Sequence, residues 1–366
     1  MRTSHIDITR AVAITLVVLG HGPIGQFHPV LQEALGNLRM PFLLMLAGMH
    51  FRPEAPWWTT VRQKADALLK PYLSMALLLA GHAWWSGLAT DPWRYVTDVL
   101  SFNGLQMPGW LFPMWFITLL WALHVAANAW WRLSAMATWR PAGHWAFAAM
   151  LGVVGFLWLP SAGLDASRCV HAGLGYVGAP FNLDLLPLAG MWFCLGHFLA
   201  SDWSRPDASW RQAWLWSLLC VAIFLAWRPH LDLLDRDARA PLASVAMAMA
   251  GAQALLAWGR LAQREARLAA WLRPLGQHSL YILLFHAPIQ SLLSHFLAAT
   301  LPGPLEAHAW VSSAIVLPLC VELGMLAKRR VWLLAAFEPM SRVQALRQRR
   351  LDTARDLATA RAAQIG

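Results

Sequence analysis

The sequence predicts an all-α, polytopic integral membrane protein with about ten transmembrane helices and both termini in the cytoplasm. Of its 366 residues, 58% are hydrophobic, only 13% are charged and 23 are tryptophan, a composition too apolar for a soluble domain of this length. Apolar windows of roughly 17–25 residues, long enough to cross ~30 Å of hydrocarbon as helices, recur along the chain. The basic residues fall mainly in every second connection between these windows, which puts them on one side of the membrane, as the positive-inside rule requires.

The predicted spans, in chain order, are 8–27, 36–52, 68–89, 110–131, 144–160, 184–201, 211–229, 241–259, 277–300 and 308–327. With the N-terminus inside, 23 of the 29 lysines and arginines lie on the cytoplasmic side. The net charge of +10 therefore reflects orientation in the bilayer, and no nucleic-acid partner is predicted. The first span is predicted to be retained rather than cleaved as a signal peptide, because Asp7 interrupts the charged region and no small-residue cleavage site follows.

The chain divides into a membrane-embedded domain, residues 1–330, and a basic cytoplasmic tail, residues 331–366. The tail mixes "VWLLAAFEPM" with arginines, which fits either a helix on the anionic inner leaflet or a frayed basic segment. The outer loop "LDLLDRDARA" has aspartates that balance its arginines and is predicted to be a solvated connector. Small residues in the run "ASVAMAMAGAQA", within 241–259, predict close helix packing.

Two histidines lie inside predicted spans, where an ionisable residue is costly and functional by default. His21 follows Arg10 by 11 residues, about 16 Å at 1.5 Å per residue, and His286 follows Gly276 by ten residues, about 15 Å. Both helices run in the same direction, so the two imidazoles are predicted to meet near the middle of the bilayer. A neutral imidazole there accepts a proton as a general base; the alternative is a structural histidine bonded to a neighbouring helix.

Three further groups of charged residues lie near the ends of the predicted spans. Arg39, at the outer end of the second span, faces the protein interior or an outer vestibule, or else reaches to lipid phosphate. Asp7 and Arg10, spaced i, i+3, form a pair at the inner boundary. The inner loop that carries Lys64 and Lys70 follows from positive-inside bias alone, or binds a phosphorylated cytoplasmic ligand. No metal site is predicted, because HExxH, CxxC and paired-carboxylate motifs are absent from the sequence.

These motifs, in this order, resemble the membrane-bound acyltransferase family 3, the integral-membrane O-acyltransferases that modify bacterial glycans. "IDITRAVAITLVVLGH" matches the family's first helix through Asp7, Arg10 and His21, and "RMPFLLMLAG" matches its second, with Arg39 in place of a histidine. Further matches are "KPYL", "MWFITLL", "WFCLGHFL" and the pattern that runs from Leu275 to His286. The family usually has Arg-x-x-Arg before the third helix; here Lys64 fits the first position but Ala67 takes the second, and Lys70 is expected to compensate for it.

The resemblance implies transfer of an acetyl group from acetyl-CoA, a co-substrate, to a sugar hydroxyl of a polysaccharide or lipid-linked oligosaccharide at the bacterial inner membrane. It implies catalytic roles for His21, His286 and Arg39, and no metal. The substrate- and donor-binding residues that it implies are Asp7, Arg10, Lys64, Lys70, Trp115 and Ser279. The second-helix motif favours exopolysaccharide modification, with a xanthan-type mannose acetyltransferase as the specific hypothesis and other polysaccharide-assembly proteins as partners.

Two other functions compete with acyl transfer. A transporter or flippase also uses histidines and arginines within the membrane, but no inverted repeat or pair of broken helices is visible in the sequence. A glycan polymerase or glycosyltransferase is expected to need a large acidic outer loop. The longest outer loops, near 90–109 and 161–183, contain only Asp91, Asp98 and Asp165.

Overall fold

The structure is a bundle of α-helices that carries one short β-hairpin. It is a computed structural model and describes residues 4–85, 87, 91–107, 109–159, 178–346, 348 and 352. The helices of the first half are α1 (Ser4–His21), α2 (Pro23–Phe27), α3 (Pro29–Met49), α4 (Trp57–Lys64), α5 (Lys70–Trp85), α6 (Pro92–Ser101), α7 (Trp115–Leu133) and α8 (Pro141–Trp158). Those of the second half are α9 (Leu186–Phe198), α10 (Ala200–Trp203), α11 (Trp210–Trp227), α12 (Pro241–Ala262), α13 (Ala266–Gln277), α14 (Ser279–Thr300), α15 (Leu305–Arg329) and α16 (Val331–Phe337).

Short non-α turns join several of these helices. A π-turn at Ala65–Leu69 links α4 to α5, and 3₁₀ turns at Gly109–Met114 and Pro180–Leu185 lead into α7 and α9. A third 3₁₀ turn covers Met136–Thr138. The all-α fold class predicted from composition and periodicity is confirmed.

Six helical segments within the described residues have the length and hydropathy of a membrane span. They are Gly109–Leu133, Pro141–Trp158, Trp210–Trp227, Pro241–Ala262, Ser279–Thr300 and Leu305–Arg329. The other four predicted windows fall on α1, on α3, on α5 and on α9 with its preceding turn, which are helical too. The count of ten spans and the cytoplasmic termini remain predictions.

The first two predicted spans had wrong boundaries. The window 8–27 is not one helix, because α1 ends at His21 and the chain turns at Gly22 into the short α2. The second helix is not short: α3 begins at Pro29, seven residues before the predicted start, with proline at its first position, where a missing N–H costs nothing. Its added turns carry Gln32 and Glu33, whose polarity lowered the hydropathy of the window.

Close backbone contacts between helices form at small residues, as lipid-embedded packing favours. The contact of α3 with α9 is reciprocal: Gly48 lies against the carbonyl oxygen of Phe193, and Gly196 lies against that of Met45. In α12, Gly251 of the small-residue run packs on the Leu38 side chain of α3, so the predicted packing role of this run is confirmed. A side chain at Gly48 or Gly196 would push α3 and α9 apart.

The outer loop predicted to be a solvated connector is instead a folded hairpin. Strand β1 (His230–Asp232) pairs antiparallel with β2 (Asp237–Arg239). Arg236, in the turn, is 2% exposed, and its Nε donates to Asp184 Oδ2 at 2.9 Å. The composition of the loop suggested charges balanced in water, whereas the structure balances Arg236 with a carboxylate from a distant part of the chain.

The beginning of the tail is also folded. Helix α16 is followed by Glu338, which is 4% exposed, and by a further helical stretch from residue 340 to 346. The basic residues Arg347, Arg349, Arg350, Arg355 and Arg361 of the predicted tail lie outside the described residues, as do Asp165 and most of the predicted outer loop 161–183.

Candidate active site

The two histidines predicted to meet are in contact. Nδ1 of His21 and Nε2 of His286 are 2.9 Å apart, and the rings stack with centroids 5.1 Å apart and planes 24° from parallel. His21 is the last residue of α1, and His286 lies in the second turn of α14 and is fully buried. The edge of Phe112 packs against the His21 ring with a centroid distance of 5.2 Å. Counting residues along two helices of the same direction was enough to predict this contact.

The hydrogen bonds of the pair determine which nitrogen carries each proton when both rings are neutral. Nδ1 of His286 lies 2.8 Å from the carbonyl oxygen of Ile282 and 3.1 Å from that of Leu283. A carbonyl only accepts, so Nδ1 of His286 must be the donor and its Nε2 an acceptor. Nδ1 of His21 therefore donates to His286, which leaves the lone pair of His21 on Nε2.

His21 lines a cavity of about 320 Å³ on the side of the bundle where the hairpin lies. Helices α1 and α3, the turn before α7 and the hairpin form its walls. Its polar side chains are those of Gln26, Gln32, Arg39 and Asp232, and its aromatic side chains are those of Phe112, Trp115 and Phe116. A cavity of this size, with a few polar groups around a candidate base, is the usual form of a small-molecule site.

Arg39 faces this cavity and not lipid, so the prediction that it faces the interior is confirmed. The residue is 8% exposed, and its guanidinium lies directly on Gly20 and donates from Nη1 to Gln32 Oε1 at 3.1 Å. Arg39 forms no ion pair with any described residue. A buried guanidinium with unused donors is suited to an oxygen atom of a ligand.

A second polar cluster lies at the opposite ends of α1 and α3. Arg10 precedes His21 by 11 residues and His50 follows Arg39 by 11, so each helix places its two polar positions about 16 Å apart. Asp7 is 4% exposed and pairs with Arg10 at 3.6 Å, which confirms the predicted i, i+3 pair. His50 interacts electrostatically with Arg10, Lys64 and Asp7, so Lys64 belongs to this cluster.

A family model described as an acyltransferase domain matches residues 4–326. The chain belongs to the membrane-bound acyltransferase family 3. No curated protein and no solved structure matches it. Membership of this family shows that the protein is an acyltransferase, an enzyme that transfers an acyl group. The matched residues include both histidines, Arg39 and the second polar cluster.

Two residues assigned to substrate or donor binding, Lys70 and Ser279, do not line the cavity of the acyltransferase. The Lys70 ammonium pairs with Asp66 at 2.6 Å and donates to the carbonyl oxygen of Glu338 at 2.6 Å, so it fastens the tail to α5. Ser279 is the first residue of α14, seven residues before His286, and does not line the cavity. By contrast, Trp115, also assigned to binding, lines the cavity, and its role stays a prediction.

Sequence reasoning missed the outer wall of the cavity. Asp232 and its neighbours Leu231, Leu233 and Leu234 line it from the hairpin. The hairpin is fixed by Asn182, whose amide donates to the carbonyl oxygen of Phe102 and accepts from Arg236 Nη2. Asn182 has a φ of +55°, a left-handed conformation that asparagine adopts more readily than most residues. The only sequence signal was the repeated Leu-Asp pattern of the loop, which favours neither a wall nor a connector.

Proposed function

We propose that the acyltransferase transfers an acetyl group from cytoplasmic acetyl-CoA to a sugar hydroxyl of an exported or lipid-linked bacterial polysaccharide at the inner membrane. The observation that carries this proposal is the His21–His286 pair, at the wall of a cavity that Arg39 also lines. A base, an orienting partner and a cation at one cavity are the groups that acyl transfer to an alcohol needs.

In this proposal, Nε2 of His21 takes the proton of the sugar hydroxyl. The hydroxyl oxygen attacks the thioester carbonyl carbon, and the carbonyl oxygen becomes an oxyanion. When the C–S bond breaks, the thiolate of coenzyme A receives the proton from His21, and the acetyl ester and free thiol leave. His286 holds the His21 ring in the required tautomer throughout, since its Nε2 accepts from His21 Nδ1.

Arg39 is proposed to stabilise the oxyanion. Its guanidinium is buried beside Gly20, the residue before His21, and its charge cannot be lost by deprotonation. Preorganised donors of this kind strengthen as negative charge develops on the carbonyl oxygen.

The second polar cluster is proposed to hold the phosphates of acetyl-CoA. Arg10 and Lys64 lie at the end of α1 and α3 remote from the cavity, so the pantetheine arm would extend along about 16 Å of helix to reach His21. Two basic groups at that end provide the charge that phosphate oxygens require. In this geometry neither substrate has to cross the membrane fully.

Lys64→Arg tests the donor site through its pH dependence. Burial, with Arg52 nearby, lowers the pKa of Lys64 to about 8. The ammonium is charged below that pH and loses its proton above it, so kcat/KM for acetyl-CoA should fall as the pH rises through about 8. Arginine stays charged, so the variant should keep its kcat/KM to higher pH.

Lys64→Met is the matched variant without charge. It should reduce kcat/KM for acetyl-CoA about 10-fold or more at pH 7, the effect of one lost charged hydrogen bond, and show no decline near pH 8. An unchanged alkaline decline in Lys64→Arg would assign that pKa to another group.

The proposed function is tested with the full-length protein in lipid nanodiscs. Radiolabelled acetyl-CoA and a panel of glycosides should give acetylated sugar together with an equal amount of free coenzyme A. Mass spectrometry of the host polysaccharide with and without the gene should show loss of one acetyl group. Movement of sugar across vesicles without acetylation would instead establish a transporter.

The route through His21 needs a separate measurement. In the direct route no acetyl group stays on the protein when the acceptor is left out. A radiolabelled acetyl-protein that disappears in His21→Ala would replace the direct route by an acyl-histidine intermediate formed on Nε2.

A further inference from the structure

The hairpin forms the outer wall of the cavity and is held in place by three contacts with other parts of the chain. At its base, Asn37 of α3 donates from Nδ2 to the carbonyl oxygen of Pro229 at 2.7 Å. In its turn, Arg236 pairs with Asp184. On its inner face, Leu234 packs against Gly104, which also contacts the Trp115 side chain. The position of Asp232 relative to the cavity is therefore set by buried contacts.

One carboxylate oxygen of Asp232 is used by the hairpin itself. Oδ1 accepts from the backbone N–H groups of Leu234 at 2.8 Å and Asp235 at 3.1 Å. Oδ2 accepts no hydrogen bond from the residues that the structure describes. Because Asp232 lines the cavity, this second oxygen is an acceptor held in place by the bonds that the first one makes.

The charges of the cavity indicate the class of its ligand. Among the described lining residues, the charged ones are Arg39 and Asp232, which interact electrostatically but form no ion pair. The remaining polar side chains are the amides of Gln26 and Gln32 and the imidazole of His21. A ligand with a carboxylate would meet Asp232, whereas neutral hydroxyls both accept from a guanidinium and donate to a carboxylate.

The size and the aromatic wall of the cavity narrow the class further. Its volume of about 320 Å³ lies at the lower end of the range for small-molecule pockets, which suits a single ring better than an oligosaccharide. Phe112 is half-buried and already packs against His21, so the apolar face of a ring placed on it lies beside the base.

Given the proposed function, we propose that this cavity is the acceptor site for one neutral sugar ring and that Asp232 selects it. Oδ2 of Asp232 accepts hydrogen bonds from ring hydroxyls that are not acetylated, while His21 faces the one that is. Asp232 is a specificity residue of the acceptor and takes no part in proton transfer.

The test uses the full-length protein in nanodiscs with acetyl-CoA and paired acceptors, p-nitrophenyl hexosides and the matching hexuronides. The wild type should acetylate a neutral hexoside with a kcat/KM at least 10-fold above that of its hexuronide. Asp232→Asn keeps Oδ1 for the turn and removes the charge. It should lower kcat/KM for the neutral acceptor about 10- to 100-fold, the range for one hydrogen bond to a charged group, mainly through the acceptor KM.

The same variant should reduce the ratio of kcat/KM for the hexoside to kcat/KM for the hexuronide. It should leave the KM for acetyl-CoA unchanged. Asp235→Asn, on the exposed side of the same hairpin, is the matched control and should change none of these values.

The outcomes separate the two proposals. If sugar is acetylated with the same acceptor kcat/KM by Asp232→Asn and wild type, or if the wild type prefers the hexuronide, the acceptor assignment alone is overturned. A wild type that acetylates no glycoside overturns the proposed function as well. If Asp232→Asn and the wild type unfold at the same temperature, any change in the acceptor KM arises at the site.

Discussion

His21→Ala should lower the rate of acetyl transfer by about 10²- to 10⁴-fold, the contribution typical of a positioned general base. Of the four ring nitrogens of the histidine pair, the variant loses the one whose lone pair the hydrogen bonds leave free, because Nε2 of His286 is directed at His21 and its Nδ1 donates to backbone carbonyls. The measurement is kcat for acetyl-sugar formation at saturating acetyl-CoA.

The control is His295→Ala, on α14 nine residues, or about two and a half turns, beyond His286. His295 is exposed and its Nδ1 donates to the carbonyl oxygen of Ser291, so its removal should leave kcat unchanged. His286→Gln should retain more activity than His286→Leu, since a glutamine oxygen can still accept from His21 Nδ1. Full activity in His21→Ala would remove this histidine from the mechanism.

Arg236→Met should destabilise the folded protein by about 3–5 kcal/mol, the effect of leaving one charge of a buried pair without its partner. The side chains of Arg236 and Asp184 are 0% and 6% exposed, and Asp184 would remain as an uncompensated carboxylate. The acceptor KM should rise at the same time, because the hairpin that carries Asp232 would lose one of its anchors. Thermal unfolding in detergent and acceptor kinetics measure the two effects.

The exposed pair of Arg94 and Asp98 is the matched comparison. Its side chains are 78% and 22% exposed and 3.9 Å apart, so Arg94→Met should change stability by less than about 1 kcal/mol. A double variant, Arg236→Met with Asp184→Leu, should recover part of the lost stability because no charge is then left buried. Equal stability losses at the buried and the exposed pair would contradict this account.

Sequence patterns were sufficient where the determining geometry is local to a helix. The rise of 1.5 Å per residue placed His21 and His286 at one depth, and the i, i+3 spacing predicted the Asp7–Arg10 pair. Hydropathy located the helices themselves. Hydropathy misplaced the start of α3, because Gln32 lines the cavity and its polar side chain lowers the mean hydropathy of any window that contains it.

The missed features all depend on contacts between distant parts of the chain. The partner of Arg236 lies 52 residues away and is brought close by the left-handed turn at Phe181 and Asn182, which no periodicity predicts. Lys70 fits a charge-based motif, yet its partners include the carbonyl oxygen of Glu338, 268 residues later. Charge counting reveals on which side a basic residue lies but not what it binds.

The termination of α1 at His21 places the proposed base at the C-terminal end of a helix, a setting that no side-chain substitution removes. The last carbonyls of a helix carry about half a negative charge, and an imidazolium formed on His21 in the proposed reaction would lie at that end. Such an end stabilises a cation by about 0.3–1 kcal/mol, and by up to ~2 kcal/mol when partly buried. In the proposed mechanism the peptide backbone would thus contribute to catalysis through the position at which the helix ends, a contribution that alanine scanning would not detect.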